Sequence, residues 1–96
     1  MNILITYDVE ATTAAGKKRL RDISKVCQSY GQRVQNSVFE CQIDASALFV
    51  FKKRLLSIYD EQKDSIRIYK LGKNYERSVQ HYGKNQGLRM DEPIIL

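Results

Sequence analysis

The sequence has few of the residues that build zinc, redox or disulfide sites. Its 96 residues include two cysteines, one histidine, one proline and no tryptophan. Cys27 and Cys41 form no CxxC pair, and with His81 as the single histidine this argues against a zinc site. We expect both thiols to be small, buried side chains of a protein in a reducing cytoplasm.

Long apolar runs are also missing. The longest, ALFVF at 47–51, is far too short to cross a bilayer, and the N-terminus enters a strand pattern without the features of a signal peptide. The sequence therefore predicts a cytoplasmic protein that makes no membrane contact. Repeats and linkers are absent as well, and 43% hydrophobic with 28% charged residues is ordinary globular composition. We expect a single domain over residues 1–96.

Acidic residues are scarce in one segment, which gives the chain its charge. The net charge is +5, and between positions 17 and 33 six basic residues face one acid, Asp22. A cluster of this kind favours a polyanionic partner, most simply nucleic acid, although a solvated helix face explains it about equally well. The six are Lys17, Lys18, Arg19, Arg21, Lys25 and Arg33.

Apolar spacing predicts the order of helices and strands. Strands are expected at 2–9 and 64–71, and helices at about 14–30 and 45–61, the first capped by threonine and ended by Gly31 in a C′ role. Between the helices, Val34 is the buried candidate on even positions, whereas the later apolar residues fall on odd ones. This change of parity around 35–37 predicts a tight turn or bulge, and hence a hairpin.

The order strand, helix, strand, strand, helix, strand predicts an α+β protein with a ferredoxin-like βαββαβ fold. Its antiparallel sheet would have helices on one face, and a second copy of the chain would cover the other. Two C-terminal segments, SVQHY at 78–82 and PIIL at 93–96, are extra strand-like pieces. We expect residues 72–96 to be an edge-strand tail that contacts the second copy or another partner.

Asp8 is the candidate for chemistry, because it ends the apolar run ILITYD and Glu10 follows two residues later. Magnesium often takes one or two carboxylates and completes its shell with water and substrate phosphates. One Asp8 from each of two copies, brought together at a dimer axis, would suit such an ion. On the residues alone, a solvent-exposed acid at a strand end is the simpler interpretation.

Four segments together resemble the CRISPR-associated protein 2 family of spacer acquisition. They are LITYDV at the first strand, YGQRVQNSVFEC after the first helix, IRIYKLG in the later strand, and a short strand-forming tail. The similarity covers residues 1–72 well and the remainder loosely, and is greatest to members from type I-C systems. It implies a homodimer with metal-dependent endonuclease activity, using Mg²⁺ or alternatively Mn²⁺, on single-stranded RNA or double-stranded DNA. It also implies that the dimer bridges CRISPR integrase subunits.

Matched position by position, the resemblance implies that Asp8 binds the metal. It ties Tyr7, Arg33, Ser37 and Phe39 to activity. Each of these four also has a structural interpretation: core packing for Tyr7, a helix-end contact for Arg33, a turn for Ser37, and core or dimer packing for Phe39. The basic residues Lys17, Lys18, Arg19, Arg21 and Arg33 are predicted nucleic-acid contacts, made to phosphates without reading sequence.

Three functions therefore compete. The first is a metal-dependent endonuclease, expected to be slow because one or two acids per chain are few for a two-metal site. The second is a non-catalytic nucleic-acid-binding scaffold. The third is a toxin-like ribonuclease dimer of the same fold.

Overall fold

A computed structural model describes residues 1–72 and 79–84 and confirms the predicted α+β arrangement. Within these ranges five strands and two helices follow the order βαββαββ. Their bounds are β1 Asn2–Asp8, α1 Ala14–Tyr30, β2 Gln32–Gln35, β3 Val38–Gln42, α2 Ala45–Leu56, β4 Ser65–Leu71 and β5 Val79–Gly83. Neither helix in the described ranges is long and apolar enough to cross a membrane.

The sheet is antiparallel at each pairing, with strand order β2-β3-β1-β4-β5. The first four strands in this list have the order of a ferredoxin-like sheet, and β5 is added beside β4. The strand predicted at SVQHY is present as β5 and pairs with β4 of its own chain, while the expected contact of residues 72–96 with a second copy or another partner stays a prediction. The PIIL segment lies outside the described residues.

β1 is the central strand, and its alternation places the core. Ile3, Ile5 and Tyr7 point to the side of the sheet that carries both helices, here called the helix side. Ile5 pairs with Phe39 on β3 and with Ile68 on β4, so three apolar side chains meet in one row. The core is completed by Cys41 and Ile66 from the sheet, Ile23, Val26 and Cys27 from α1, and Leu48, Phe51 and Leu55 from α2.

The even residues of β1 point to the opposite surface, here called the far side. Leu4 is 4% exposed there, and Arg67, which pairs with Thr6, is 7% exposed. Asp8 and Glu40 are exposed on the same surface. The prediction that helices cover one face of the sheet is confirmed. The far side was expected to be open, but within a single chain Leu4 and Arg67 are already buried there.

The ends of α1 follow the capping signals in the sequence, with one difference. The Thr13 side chain accepts a hydrogen bond from the Gly16 backbone N–H at 3.0 Å, as an N-cap should. Gly31 ends the helix in an extended conformation, so the predicted left-handed C′ role is wrong. Glycine is required there for another reason, because a Cβ would lie 2.3 Å from the Glu40 carbonyl oxygen and 2.5 Å from the Cys41 sulfur.

The position of the hairpin was predicted correctly, but the burial of its residue Val34 was not. Asn36 and Ser37 form the turn between β2 and β3, and the register shifts between Arg33 and Gln35, which is the predicted bulge. Val34 lies in this irregularity and is 54% exposed, so its predicted burial is wrong. Because β2 is a short edge strand, it has one neighbour and leaves Val34 in solvent.

α2 is shorter than predicted. It starts at the N-cap Asp44, whose side chain accepts from the Ala47 N–H at 2.8 Å, and it ends at Leu56, not near 61. The chain then turns, because the Asp60 carboxylate accepts the Gln62 N–H at 2.9 Å and its carbonyl accepts the Asp64 N–H at 2.8 Å. This turn leads directly into β4.

Candidate functional site

Asp8 occupies the last position of β1, on the far side of the sheet, and its side chain is exposed. Its strand partner on β4 is Ser65. Asp8 lines a shallow surface depression together with Glu10, Lys63 and Lys84. The two acids that the sequence placed near each other therefore share one surface, with two ammonium groups beside them.

These residues fit a divalent cation only in part. Carboxylate oxygens are the ligands that Mg²⁺ prefers, but within the described residues no group of three or more acids, histidines or cysteines surrounds one point. Asp8 and Glu10 are two acids, so a single chain offers at most part of a coordination shell. Water, substrate phosphate oxygens or a second chain would have to supply the rest.

Tyr7, Arg33, Ser37 and Phe39 lie on the other side of the sheet from Asp8. Adjacent strand residues point to opposite faces, and Tyr7 packs into the helix-side core, where it is 5% exposed. The five residues that the resemblance tied to activity therefore form two groups in one chain. Asp8 is the one of the five on the far side. Arg33, Ser37 and Phe39 belong to the β2–β3 hairpin, and Tyr7 packs beside it from β1.

The group around the hairpin is held by stacking and hydrogen bonds. The Tyr7 and Phe39 rings stack with centroids 6.2 Å apart, and the Arg33 guanidinium carbon lies 4.8 Å from the Phe39 centroid. Arg33 donates to the Ser24 hydroxyl at 2.6 Å and to the Asn36 carbonyl. Burial raises the pKa of the Tyr7 phenol, although hydrogen bonding to Ser24 and Arg33 opposes that rise.

Two of these residues have clear structural tasks. Phe39 is fully buried in the helix-side core, so an effect of Phe39 on activity would act through packing and not through contact with substrate. Ser37 lies in the hairpin turn, and its carbonyl accepts the Tyr7 backbone N–H at 3.1 Å. The packing and turn interpretations given for them from sequence agree with these positions.

The predicted basic contacts divide in a similar way. Lys17 and Arg21 are exposed, and Lys18 is exposed but pairs with Asp22 at 2.6 Å on the same helix. Arg19 differs, because its guanidinium forms an ion pair at 2.8 Å with Asp64, which is fully buried. Its predicted role as a phosphate contact therefore conflicts with its position.

Arg21 also takes part in a basic pocket between α1 and the hairpin. This depression of about 470 Å³ contains three cationic side chains and no acid among its lining residues. The lining is formed by Arg21, Lys25, Arg33, Tyr7, Leu20, Ser24, Gln28, Asn36 and Ser37. Three positive charges make this surface attractive to an anion, although the nearby Asp22 carboxylate offsets part of the charge of Arg21 and Lys25.

Asp64 is the residue that the sequence analysis missed. It was treated as the first residue of a strand, and its only signal was an acid directly before the apolar alternation of SIRIY. Its partners are far away in sequence: Arg19 is 45 positions earlier and Glu10 is 54 positions earlier. Only the folded sheet brings them together.

Comparison with known proteins assigns this chain to a family. The family model described as CRISPR associated protein Cas2 matches residues 1–79. This chain belongs to the Cas2 family. The CRISPR-associated endonuclease Cas2 of Halalkalibacterium halodurans is 52% identical over 99% of both chains. The CRISPR-associated endoribonuclease Cas2 1 of Moorella thermoacetica is 49% identical over the full length of both. Nothing in these comparisons tests the type I-C assignment, which stays a prediction.

The fold is that of a solved Cas2. The crystal structure of Streptococcus pyogenes Cas2 at pH 6.5 matches with a TM-score of 0.71 and 54% identity, covering 86% of this chain and all of that one. A second structure, described as cas2, matches with a TM-score of 0.62 and 28% identity over all of this chain and 95% of that one. The predicted family and α+β fold are confirmed.

Proposed function

We propose that this Cas2-family chain is a slow, metal-dependent endonuclease of CRISPR adaptation. As a homodimer it binds duplex nucleic acid, hydrolyses phosphodiester bonds in RNA or double-stranded DNA, and bridges subunits of the CRISPR integrase. One observation carries the proposal: an exposed carboxylate, Asp8, ends the central strand of a chain that is about half identical to relatives named endonuclease and endoribonuclease.

Asp8 is the residue that would hold the ion, Mg²⁺ with Mn²⁺ as a substitute. The hard oxygen donors of Asp8 and Glu10 suit such a cation, and the shortage of further acids leaves positions for water and substrate phosphates. When bound, the ion supplies an activated water and charge neutralisation at phosphorus. A homodimer in which two Asp8 residues approach each other would double the carboxylates per site. Lys63 and Lys84 line the same depression and would attract the phosphate backbone.

The basic side chains supply binding. Lys17 and Arg21 are exposed on α1, and Arg21, Lys25 and Arg33 converge on the basic pocket. Contacts of this kind hold a polyanion through its phosphates and make affinity strongly dependent on salt. Because the basic pocket lies on the helix side and Asp8 on the far side, one chain would not present both to the same phosphate.

A non-catalytic scaffold is the second candidate, and the small number of acids favours it. Within residues 1–72 and 79–84 no carboxylate cluster able to hold two metal ions is present. The edge strand β2 is exposed along its four residues, and the exposed Val34 gives it an apolar contact point for another chain. Bridging of integrase subunits through such an edge would need no chemistry at Asp8.

The test is cleavage of labelled duplex DNA and single-stranded RNA by purified protein with Mg²⁺, Mn²⁺ or EDTA. Asp8→Asn is compared with Glu40→Gln, a matched control that removes another exposed acid from the same side of the sheet. We expect metal-dependent cleavage that Asp8→Asn abolishes and Glu40→Gln retains. A double variant of Lys17 and Lys18 to glutamine should weaken binding and reduce its salt dependence.

The two candidates give different results. Cleavage that persists in Asp8→Asn, or in EDTA, would contradict the role of Asp8 as a metal ligand. Absence of cleavage under all conditions, with salt-sensitive duplex binding retained, would favour the scaffold. Size-exclusion chromatography with light scattering on the same preparations measures whether the chain is a dimer.

A further inference from the structure

Asp64 has an unusual environment for an acid. It is fully buried, and its carboxylate accepts four hydrogen bonds. One oxygen accepts the Glu10 backbone N–H at 3.1 Å and an Arg19 terminal N–H at 3.3 Å, and the other accepts the Arg19 Nε–H at 2.8 Å and the Asp60 backbone N–H at 2.9 Å. Burial would raise the pKa of Asp64, but the bonds from Arg19 and the two backbone groups outweigh it and hold the pKa below its ordinary value.

These donors come from the segments that surround the end of β1. Glu10 lies two residues beyond Asp8, Arg19 lies on α1, and Asp60 lies in the turn before β4. Asp64 also directly precedes Ser65, the β4 partner of Asp8, and its carbonyl accepts the Lys84 N–H at 2.8 Å. The residue therefore fixes the backbone after Asp8 and the strand opposite it.

Gly16 restrains the same loop from the other side. A Cβ at Gly16 would lie 2.0 Å from the Glu10 carbonyl oxygen, so α1 packs directly against this peptide group. The N–H of Glu10 is bonded to Asp64 and its carbonyl abuts Gly16. The two constraints leave the loop that follows Asp8 little freedom.

We infer that Asp64, oriented by Arg19, is a positioning residue for Asp8. The inference rests on the proposed function, in which Asp8 holds the metal ion. A site with so few carboxylates depends on where each one is held, and groups that orient a ligand matter for affinity and rate even without touching the ion. Arg19 then contributes through Asp64 and does not contact phosphate.

The test compares Asp64→Asn with Asp22→Asn. The second variant breaks the exposed Lys18–Asp22 pair on α1, the helix that also carries Arg19. Asparagine keeps the shape of Asp64 but replaces one acceptor oxygen by an NH₂ group, which faces two of the present donors in either orientation. Arg19→Lys is the milder variant, because it retains the charge and the backbone bonds of Asp64 but loses the two-pronged contact. The readouts are amide hydrogen exchange at Glu10, which needs no activity, and steady-state cleavage.

For Asp64→Asn we expect faster exchange at Glu10 and a kcat reduced by about tenfold or more, with KM unchanged. Arg19→Lys should show a smaller change in the same direction, and Asp22→Asn should match the unsubstituted chain in amide exchange at Glu10 and in kcat. If Arg19 instead contacts phosphate, Arg19→Lys should retain kcat, and Asp64→Asn should free a cation and tighten duplex binding.

Each outcome of this test supports or overturns the positioning role of Asp64. Unchanged exchange at Glu10 in folded Asp64→Asn would overturn the inference, as would full kcat in Arg19→Lys. Should Asp64→Asn fail to fold, Arg19→Lys alone decides by the same criteria. Faster exchange in a protein that never cleaves would leave the anchoring supported and would count against the proposed nuclease.

Discussion

Replacement of Phe39 by alanine should destabilise the protein severely. The ring is fully buried between the sheet and the helices, so its removal loses about 1.5–3 kcal/mol of transfer free energy. The cavity adds to this, because Phe39 stacks on Tyr7 of the central strand β1 and the core around a deleted ring closes only in part. The expected total is about 3–5 kcal/mol, a large share of the roughly 5–15 kcal/mol that stabilises a small domain.

Urea denaturation followed by circular dichroism measures this change. With an m-value of about 2 kcal/mol/M, the midpoint should fall by about 2 M for Phe39→Ala. Phe39→Leu keeps a branched apolar side chain in the core and should cost clearly less than Phe39→Ala. Because Phe39 is placed here as a core residue, a folded Phe39→Leu should retain cleavage and duplex binding. A stably folded Phe39→Leu variant that has lost activity would refute this reasoning and show that Phe39 has a role in the functional site beyond core packing.

Three further predictions follow from local geometry. Gly31→Ala should destabilise the fold by about 1–3 kcal/mol, because its Cβ would meet Glu40 and Cys41, whereas Gly72→Ala, whose Cβ meets nothing within 4 Å, should not. Equal unfolding midpoints would contradict this. Burial raises the pKa of Cys27 to about 12 and of Cys41 to about 11, so iodoacetamide at pH 8 should label both slowly until urea unfolds the chain. Rapid labelling of the native protein would show that the thiols are accessible. The depressed pKa of Asp64 stabilises the folded state above the ordinary aspartate pKa of about 4, and this stability should be lost as the pH falls through the lower folded-state pKa. Asp64→Asn should flatten that part of the stability curve, and parallel curves would contradict it.

Local rules explain what the sequence predicted well. The strand at the N-terminus, the start of α1, the hairpin and its bulge depend on neighbouring residues: alternation in ILITYD, a threonine cap at Thr13, and the parity change before Phe39. The apolar spacing that predicted α1 also fits the structure, because Ile23 and Cys27, four positions apart, are both buried. Each signal spans only a few positions, so no knowledge of the remaining chain was needed.

The errors arise where distant segments decide. Val34 is exposed because β2 is an edge strand, and strand order cannot be read from its four residues. α2 stops early because Asp60 and Asp64 close a turn, which competes with a continuing apolar pattern. Arg19 looked like one cation among several on a basic helix. Its distinction is a partner 45 positions away that only the sheet brings beside it.

The alternation of β1 has the largest consequence for function. Tyr7 and Asp8 are adjacent in sequence, and the same resemblance tied both to activity, yet the strand directs them to opposite sides of the sheet. A scissile phosphate bound at Asp8 in the proposed site would therefore lie on the opposite side of the sheet from Tyr7 and Arg33 of the same chain. Two arrangements remain: the hairpin group supports the fold and binds a separate part of the polyanion, or a second chain contributes to each site. In the proposed homodimer, mixing the Asp8→Asn and Arg33→Gln variants separates the two arrangements. A heterodimer of the two variants keeps one intact site only if each site takes Asp8 from one chain and Arg33 from the other, so regained activity would favour the shared site.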